Sequence, residues 1–182
     1  SNEKSPEGVI TVAKYIDKIH KSCKIEKDSV ISTEGKTLML ESVRDPGNLG
    51  TMLRSAAAFA FKSVVMTSDC ADIYNPKTVR AAMGTMFGVK VSVVSDFASF
   101  VSAARENGKR VFTAELREGA KSVKEIGLTT EDIFVIGNEG HGLSQETIEA
   151  CTRSLYIPME EGSESLNAAI AASVIMWNMY SK

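Results

Sequence analysis

With three cysteines, two histidines, four prolines and one tryptophan in 182 residues, the chain is short of the side chains on which several chemistries depend. Cys23, Cys70 and Cys151 are odd in number and far apart, which fits neither a disulfide framework nor the CxxC spacing of a metal site. They read as reduced thiols of a cytoplasmic protein. Only His20 and His141 are available, no HExxH occurs, and no GxSxG is present to form a nucleophile elbow, so no metal site is expected. Gly35-Lys36-Thr37 ends like a phosphate loop, but Val30 stands where the first glycine is required, and the cradle is missing. No apolar run is long enough for a membrane span, and the first residues lack the apolar core of a signal peptide. Positive charge is not in excess either: 21 Lys and Arg face 23 Asp and Glu, a formal net charge of −2. Bulk attraction to nucleic acid is therefore excluded, and any such binding must use a local patch or another module.

What is present is ordinary for one globular domain, with 43% hydrophobic and 24% charged residues. Residues 5–13, SPEGVITVA, hold a short β-like run. The lysine-rich stretch 14–28 that follows reads as a lead-in with a solvated face. From Thr37 onward apolar runs recur at 38–43, 63–67, 89–94, 110–116, 133–136 and 154–158, each with the β-branched content of a buried strand. Helix-like stretches at 48–61, 76–83, 97–107 and 144–151 separate most of them. That alternation predicts an α/β fold, a parallel sheet flanked by helices. Ligands of such sheets sit beyond the carboxyl ends of the strands, which directs attention to the loops at 45–49, 137–142 and 159–167.

A final helix is expected over 165–180. Its apolar residues, Leu166, Ile170, Val174, Trp177 and Met179 among them, cover nearly the whole circumference. A helix apolar all round is buried all round, so it should pack on the sheet with one side and on a second copy of the chain with another. Packing within one chain is the alternative. The stretch IFVIGNEGHGLS, 133–144, runs from an apolar strand through Gly137, Gly140 and Gly142 to a helix start at Ser144. Glycines there let the main chain approach a ligand closely, although a plain glycine-rich turn is an equal reading of this loop alone. Its GxxGxG pattern is not the GxGxxG that seats a pyrophosphate, which makes a dinucleotide oxidoreductase a weak alternative.

Three segments together, 45-DPGNLGTMLRSAAAF-59, 136-IGNEGHGLS-144 and 157-IPMEEGSESLNAAIAAS-173, resemble the SpoU (TrmH-like) class of SPOUT RNA methyltransferases, in the family's order. The segment VRAAMGTMFGVKV (79–91) is similar to the piece between the first two motifs. SPEGVITVA resembles the family's junction with an N-terminal substrate-binding domain, so residues 1–34 are expected to be a lead-in and 35–182 a methyltransferase domain. The resemblance implies a C-terminal trefoil knot, an obligate homodimer, S-adenosylmethionine as cofactor, and methyl transfer to a ribose 2′-hydroxyl of rRNA or tRNA. A non-catalytic RNA-binding or assembly protein of the same fold is the second possibility.

By resemblance, the cofactor pocket uses the main chain of Thr113, Ala114, Glu115 and Leu116, the loop of Gly137, Asn138 and Gly140, then Ile157, Met159 and Leu166. The residues matched to catalysis are Asn48, Arg54, Glu139, Ser165 and Asn167. Asn48 also reads as a helix N-cap, and Ser165 and Asn167 as caps of the final helix. Arg54, on an otherwise apolar helix face, reads as a buried guanidinium in need of an anionic partner, for which a target phosphate is suited. Glu139 is expected to orient Arg54 or a donor on the cofactor or substrate. Neutralising a guanidinium near pH 7 costs roughly 7 kcal/mol, so phosphate positioning is favoured over a role as base. Ala168-Ala169 replaces the family's more typical Val-Ser, which removes one hydroxyl expected near the site.

Overall fold

The computed structural model describes residues 19–23, 35–160, 162 and 165–181; the expected β-like run at 5–13 lies outside them. Among the described residues eight strands form one sheet: β1 (Ile19–Cys23), β2 (Thr37–Leu40), β3 (Ser63–Thr67), β4 (Lys90–Val94), β5 (Val111–Ala114), β6 (Lys121–Ser122), β7 (Ile133–Ile136) and β8 (Arg153–Tyr156). Their order is β1-β4-β3-β2-β7-β5-β8-β6, and every pairing is parallel. β1 falls inside the stretch read from sequence as a lysine-rich lead-in. It adds a strand beside β4 that is the edge of the sheet among the described residues, a place where charged side chains are tolerated.

Among the described residues five helices lie between strands, α1 (Pro46–Ala58), α2 (Pro76–Ala82), α3 (Phe97–Glu106), α4 (Val123–Ile126) and α5 (Gln145–Ala150), and a sixth, α6 (Ala168–Tyr180), follows β8. A 3-10 turn at Thr85–Gly88 follows α2. Side chains of the central strands alternate between two apolar layers. Leu38, Leu40, Phe134 and Ile136 join Leu49, Met52 and Leu53 of α1 and Ala172, Ile175 and Met179 of α6. Met39, Ile133 and Val135 face the other way, against Phe97, Phe100 and Val101 of α3. Both faces are thus covered, which is why β2 and β7 read as unbroken apolar runs. Burying each such Leu, Ile or Phe contributes on the order of 1.5–3 kcal/mol.

The chain moves outward from β2 through β3 to β4, returns by α3 to β5, and later inserts β7 between β2 and β5. The direction of winding reverses at this point, and a crevice opens at the carboxyl ends of β2, β7 and β5. α6 begins at Ala168, not Ser165. Asn167 is its N-cap, with Oδ1 accepting from the N–H groups of Ala169 (2.9 Å) and Ile170 (3.3 Å). In the single chain α6 is not buried all round: Ile170 is 53% and Trp177 57% exposed. Among the described residues no helix is long and apolar enough to cross a membrane.

Candidate active site

The first turn of α1 differs from the sequence expectation. Its N-cap is Asp45, not Asn48: Asp45 Oδ1 accepts from the Asn48 N–H at 2.8 Å, and Pro46 occupies the first helical position. Proline there loses no helical hydrogen bond and its φ suits the helix, so Asp45-Pro46 outcompetes a start at Asn48. Asn48 then lies within the first turn with its side chain free of capping. Its Nδ2 donates to Glu139 Oε1 at 2.9 Å and its Oδ1 accepts from Asn167 Nδ2 at 3.0 Å. Residues 91 and 119 positions away in sequence are thereby joined into one polar chain, Asn167–Asn48–Glu139.

Lys77 Nζ donates to Asp45 Oδ2 at 2.9 Å. This bond, followed by the bond from the Asn48 N–H, holds the Asp45 carboxyl below its ordinary value. A depressed folded-state pKa means that the stabilisation is present above the ordinary Asp range and is lost as pH falls through the folded value. Asp45→Ala should cost about 1 kcal/mol at pH 7, as for other N-cap losses. The gap from wild type should close below pH ~4. Urea unfolding at both pH values measures this; an equal gap at both would exclude the ionised cap.

The Gly137 loop is closed on itself and anchored at both ends. Asn138 N–H donates to Gly142 O (2.9 Å) and Gly142 N–H to Asn138 O (3.0 Å). Asn138 Oδ1 accepts from the N–H groups of Gly140 and His141, while its Nδ2 donates to Ser42 O at 2.8 Å. At the other end Ser144 donates through N–H (3.1 Å) and Oγ (2.6 Å) to the carboxylate of Glu41, which also accepts from Thr147 Oγ1. Glu41 and Ser42 directly follow β2, so the end of one strand fixes the loop that leaves its neighbour. The expectation for Asn138 changes accordingly: its side chain is taken up in holding the loop. Gly137 is half-buried, and a Cβ on it would lie 2.5 Å from Gly142 C and 2.6 Å from Gly142 O. Gly140 is exposed, and a Cβ there would come no closer than 3.6 Å, to Asn138 Oδ1.

A cavity adjoins this loop, and a second, smaller one shares part of its lining. The larger, about 550 Å³, is walled by Asn48, Glu139, Asn167, Ser165 and the Gly137 loop. The smaller, about 160 Å³, is lined by Leu116, Tyr156, Ile157, Met159 and Ile175. Ala114, Glu115, Ser165, Leu166 and Ala171 border both. The structure therefore brings together most of the residues singled out in sequence, but not all. Thr113 is fully buried in β5, where its Oγ1 donates to Ser154 Oγ at 2.8 Å, and Gly140 lines neither cavity. Arg54 is not a buried guanidinium; it is exposed and borders neither cavity. Six residues of helix separate it from Asn48 by about 9 Å along the axis and about 120° around it, so the two cannot share a face. Glu139 accepts from Asn48, and no bond joins it to Arg54 among the described residues. Ala169 is 2% exposed and packs in the α6 core, so a serine hydroxyl at 169 would not face the cavity. Among the described residues no group of His, Cys, Asp and Glu could hold a metal ion.

The SpoU rRNA methylase family model matches residues 35–177, which takes in every strand from β2 to β8. The chain belongs to this family. Among its SpoU relatives, the 23S rRNA (guanosine(2553)-2′-O)-methyltransferase RlmP of Bacillus subtilis is 36% identical over 149 residues, 82% of this chain and 59% of that protein. The 23S rRNA (uridine(2479)-2′-O)-methyltransferase of Streptomyces viridochromogenes is 32% identical, over 77% of this chain and 50% of its own length. Of solved structures, the SpoU methyltransferase AviRb of S. viridochromogenes, in complex with AdoMet, superposes with a TM-score of 0.74 at 28% identity. That match covers 83% of this chain and 61% of AviRb. The chain thus spans between 50% and 59% of the length of these curated relatives.

Sequence reasoning missed three contributors to this cluster: Asp45, Glu41 and the side chain of Glu115. For Asp45 the signal was present, since Asp-Pro opening an apolar helix is a strong N-cap pattern. Glu41 meets Ser144 across 103 residues, a contact no local pattern carries.

Proposed function

We propose that the protein is the catalytic part of an RNA 2′-O-ribose methyltransferase, transferring a methyl group from S-adenosylmethionine to a ribose 2′-hydroxyl of rRNA or tRNA. The observation that carries this reading is the Asn167–Asn48–Glu139 chain at the rim of a cavity walled by glycine backbone. Two observations support the fit: the loop that walls the cavity is packed so closely that a Cβ at Gly137 would collide with the Gly142 main chain, and a carboxylate oxygen of Glu115 beside it is buried with no partner among the described residues. The apolar chamber of Ile157, Met159 and Leu116 is matched to an adenine ring, whose edge can be read by main-chain groups. When bound, the cofactor supplies an electrophilic methyl group on a sulfonium.

The amides of Asn48 and Asn167 fix one another and hold Glu139 at the cavity mouth, where they can orient the hydroxyl that is to react. Holding the reactants in line accounts for much of the rate in such transfers, with effective molarities on the order of 10⁵–10⁸ M. Arg54 binds a phosphate of the target nucleotide from the exposed face of α1. Arg54→Ala should lower transfer at least about 100-fold with S-adenosylmethionine affinity unchanged; loss of both together would make Arg54 a structural residue.

The exposed face of α6 supports a homodimer. Ile170 and Trp177 are seven residues apart, so only about 20° separates them around the helix, and both are more than half exposed. Light scattering should give twice 19.6 kDa, and a monomer at micromolar concentration would remove the dimer from this account. The lead-in 1–34 is proposed to join a substrate-binding domain to the sheet, of which β1 is an edge strand among the described residues. Comparing ribose 2′-O-methylation in the RNA of cells with and without the gene tests the activity. One rRNA or tRNA position should lose its methyl group, whereas an unchanged map would favour a non-catalytic RNA-binding protein of the same fold.

A further inference from the structure

Glu115 is the first residue after β5, held in place by its N–H, which donates to Leu155 O at 2.9 Å. It borders both cavities, at the waist between the larger one and the smaller, more apolar one. Oε2 is shut off from solvent and has no hydrogen-bond partner among the described residues. Oε1 faces Gly142, 3.7 Å from where a Cβ on that glycine would sit. A buried carboxylate oxygen without a donor is costly, and a ligand that brings positive charge or a donor removes the cost.

The surroundings favour charge. Among the described residues, the lining of the larger cavity includes the carboxylates of Asp45, Glu115 and Glu139 and no lysine, arginine or histidine. Asp45 is engaged by Lys77 and Glu139 by Asn48, which leaves Glu115 as the unengaged acid of the wall. Its position is also selective. A ligand with its base in the apolar chamber and its tail in the polar one passes its middle portion through the waist. In S-adenosylmethionine that middle portion holds the sulfonium; in the product, S-adenosylhomocysteine, it holds a neutral thioether.

We infer that the Glu115 carboxylate is the group by which the pocket distinguishes the charged cofactor from its spent, uncharged product. Transfer of the methyl group returns the C–S bonding electrons to sulfur and removes the positive charge, so the product no longer compensates the buried carboxylate and leaves more easily. The inference rests on the cofactor reading above and concerns which part of the cofactor the side chain meets.

Equilibrium dialysis of wild type, Glu115→Gln and Glu115→Asp against labelled S-adenosylmethionine and S-adenosylhomocysteine tests it. The ratio of the two dissociation constants should shift by at least about tenfold toward the product in Glu115→Gln, since one charge pair is lost from a shielded site. Glu115→Asp, which keeps the charge, should recover part of that shift. Removing a half-buried carboxylate whose Oε2 has no donor among the described residues should also leave the thermal midpoint of the ligand-free protein unchanged or raised. An equal loss for both ligands would place Glu115 on a group they share, such as a ribose hydroxyl, and overturn the inference; so would no change for either. If wild type binds neither ligand, the cofactor reading itself fails.

Discussion

Gly137→Ala is expected to lose at least about 100-fold in affinity for S-adenosylmethionine while the chain remains folded. The added Cβ would meet Gly142 C at 2.5 Å, Gly142 O at 2.6 Å and Leu143 N at 2.8 Å. All three are backbone atoms, and two reciprocal hydrogen bonds between Asn138 and Gly142 hold them in place. Relief therefore requires opening the loop, at the 1–3 kcal/mol typical of overpacking, and a 100-fold loss of affinity is about 2.7 kcal/mol. Folding should suffer less, because the loop lies beyond the buried strand Ile133–Ile136. Gly140→Ala is the control. Its Cβ finds only Asn138 Oδ1, at 3.6 Å, so affinity should stay within about twofold. Measuring affinity and thermal midpoint on the same samples separates the two glycines, and equal behaviour would mean that the Gly137 wall does not shape the pocket.

Gly50→Ala should act in the opposite sense, on stability first. Gly50 is where α1 and α2 come closest: a Cβ would lie 2.4 Å from Thr78 O and 2.6 Å from Ala81 Cβ. Alanine gains about 1 kcal/mol of helix propensity over glycine, but the clash with a carbonyl oxygen in a neighbouring helix forces the pair apart. A net loss of about 1–3 kcal/mol follows, or roughly 2–10 °C in Tm for a chain of this size. Because α2 carries Lys77 to Asp45, the displacement should also loosen the cap that frees Asn48. Thermal unfolding checks this; an unchanged or higher Tm would show that the helices tolerate the extra methyl.

Much of this arrangement could be read before any coordinates. The apolar runs locate β2 to β5, β7 and β8 to within a few residues, because strands covered on both faces leave an unbroken signal. The parallel order follows from the helices between them. What stayed hidden has physical causes. Asn48 and Asp45 are both good caps three residues apart, and only the proline between them decides. Arg54 sits among alanines and leucines, so composition suggested burial, yet helix phase turns it outward. β1 is disguised by lysines because an edge strand need not be apolar. Contacts that close the site, Glu41 to Ser144 and Asn167 to Asn48, join residues more than 100 positions apart and leave no periodic trace.

The central claim is that the Gly137 loop, the start of α1 and the segment before α6 form a pocket for S-adenosylmethionine. Calorimetric titration of the folded protein with that compound tests it most directly. Saturable binding of one molecule per chain, lost in Gly137→Ala and kept in Arg54→Ala, is the predicted result. No heat of binding at millimolar ligand, with the protein folded and at its native oligomeric state, would contradict it.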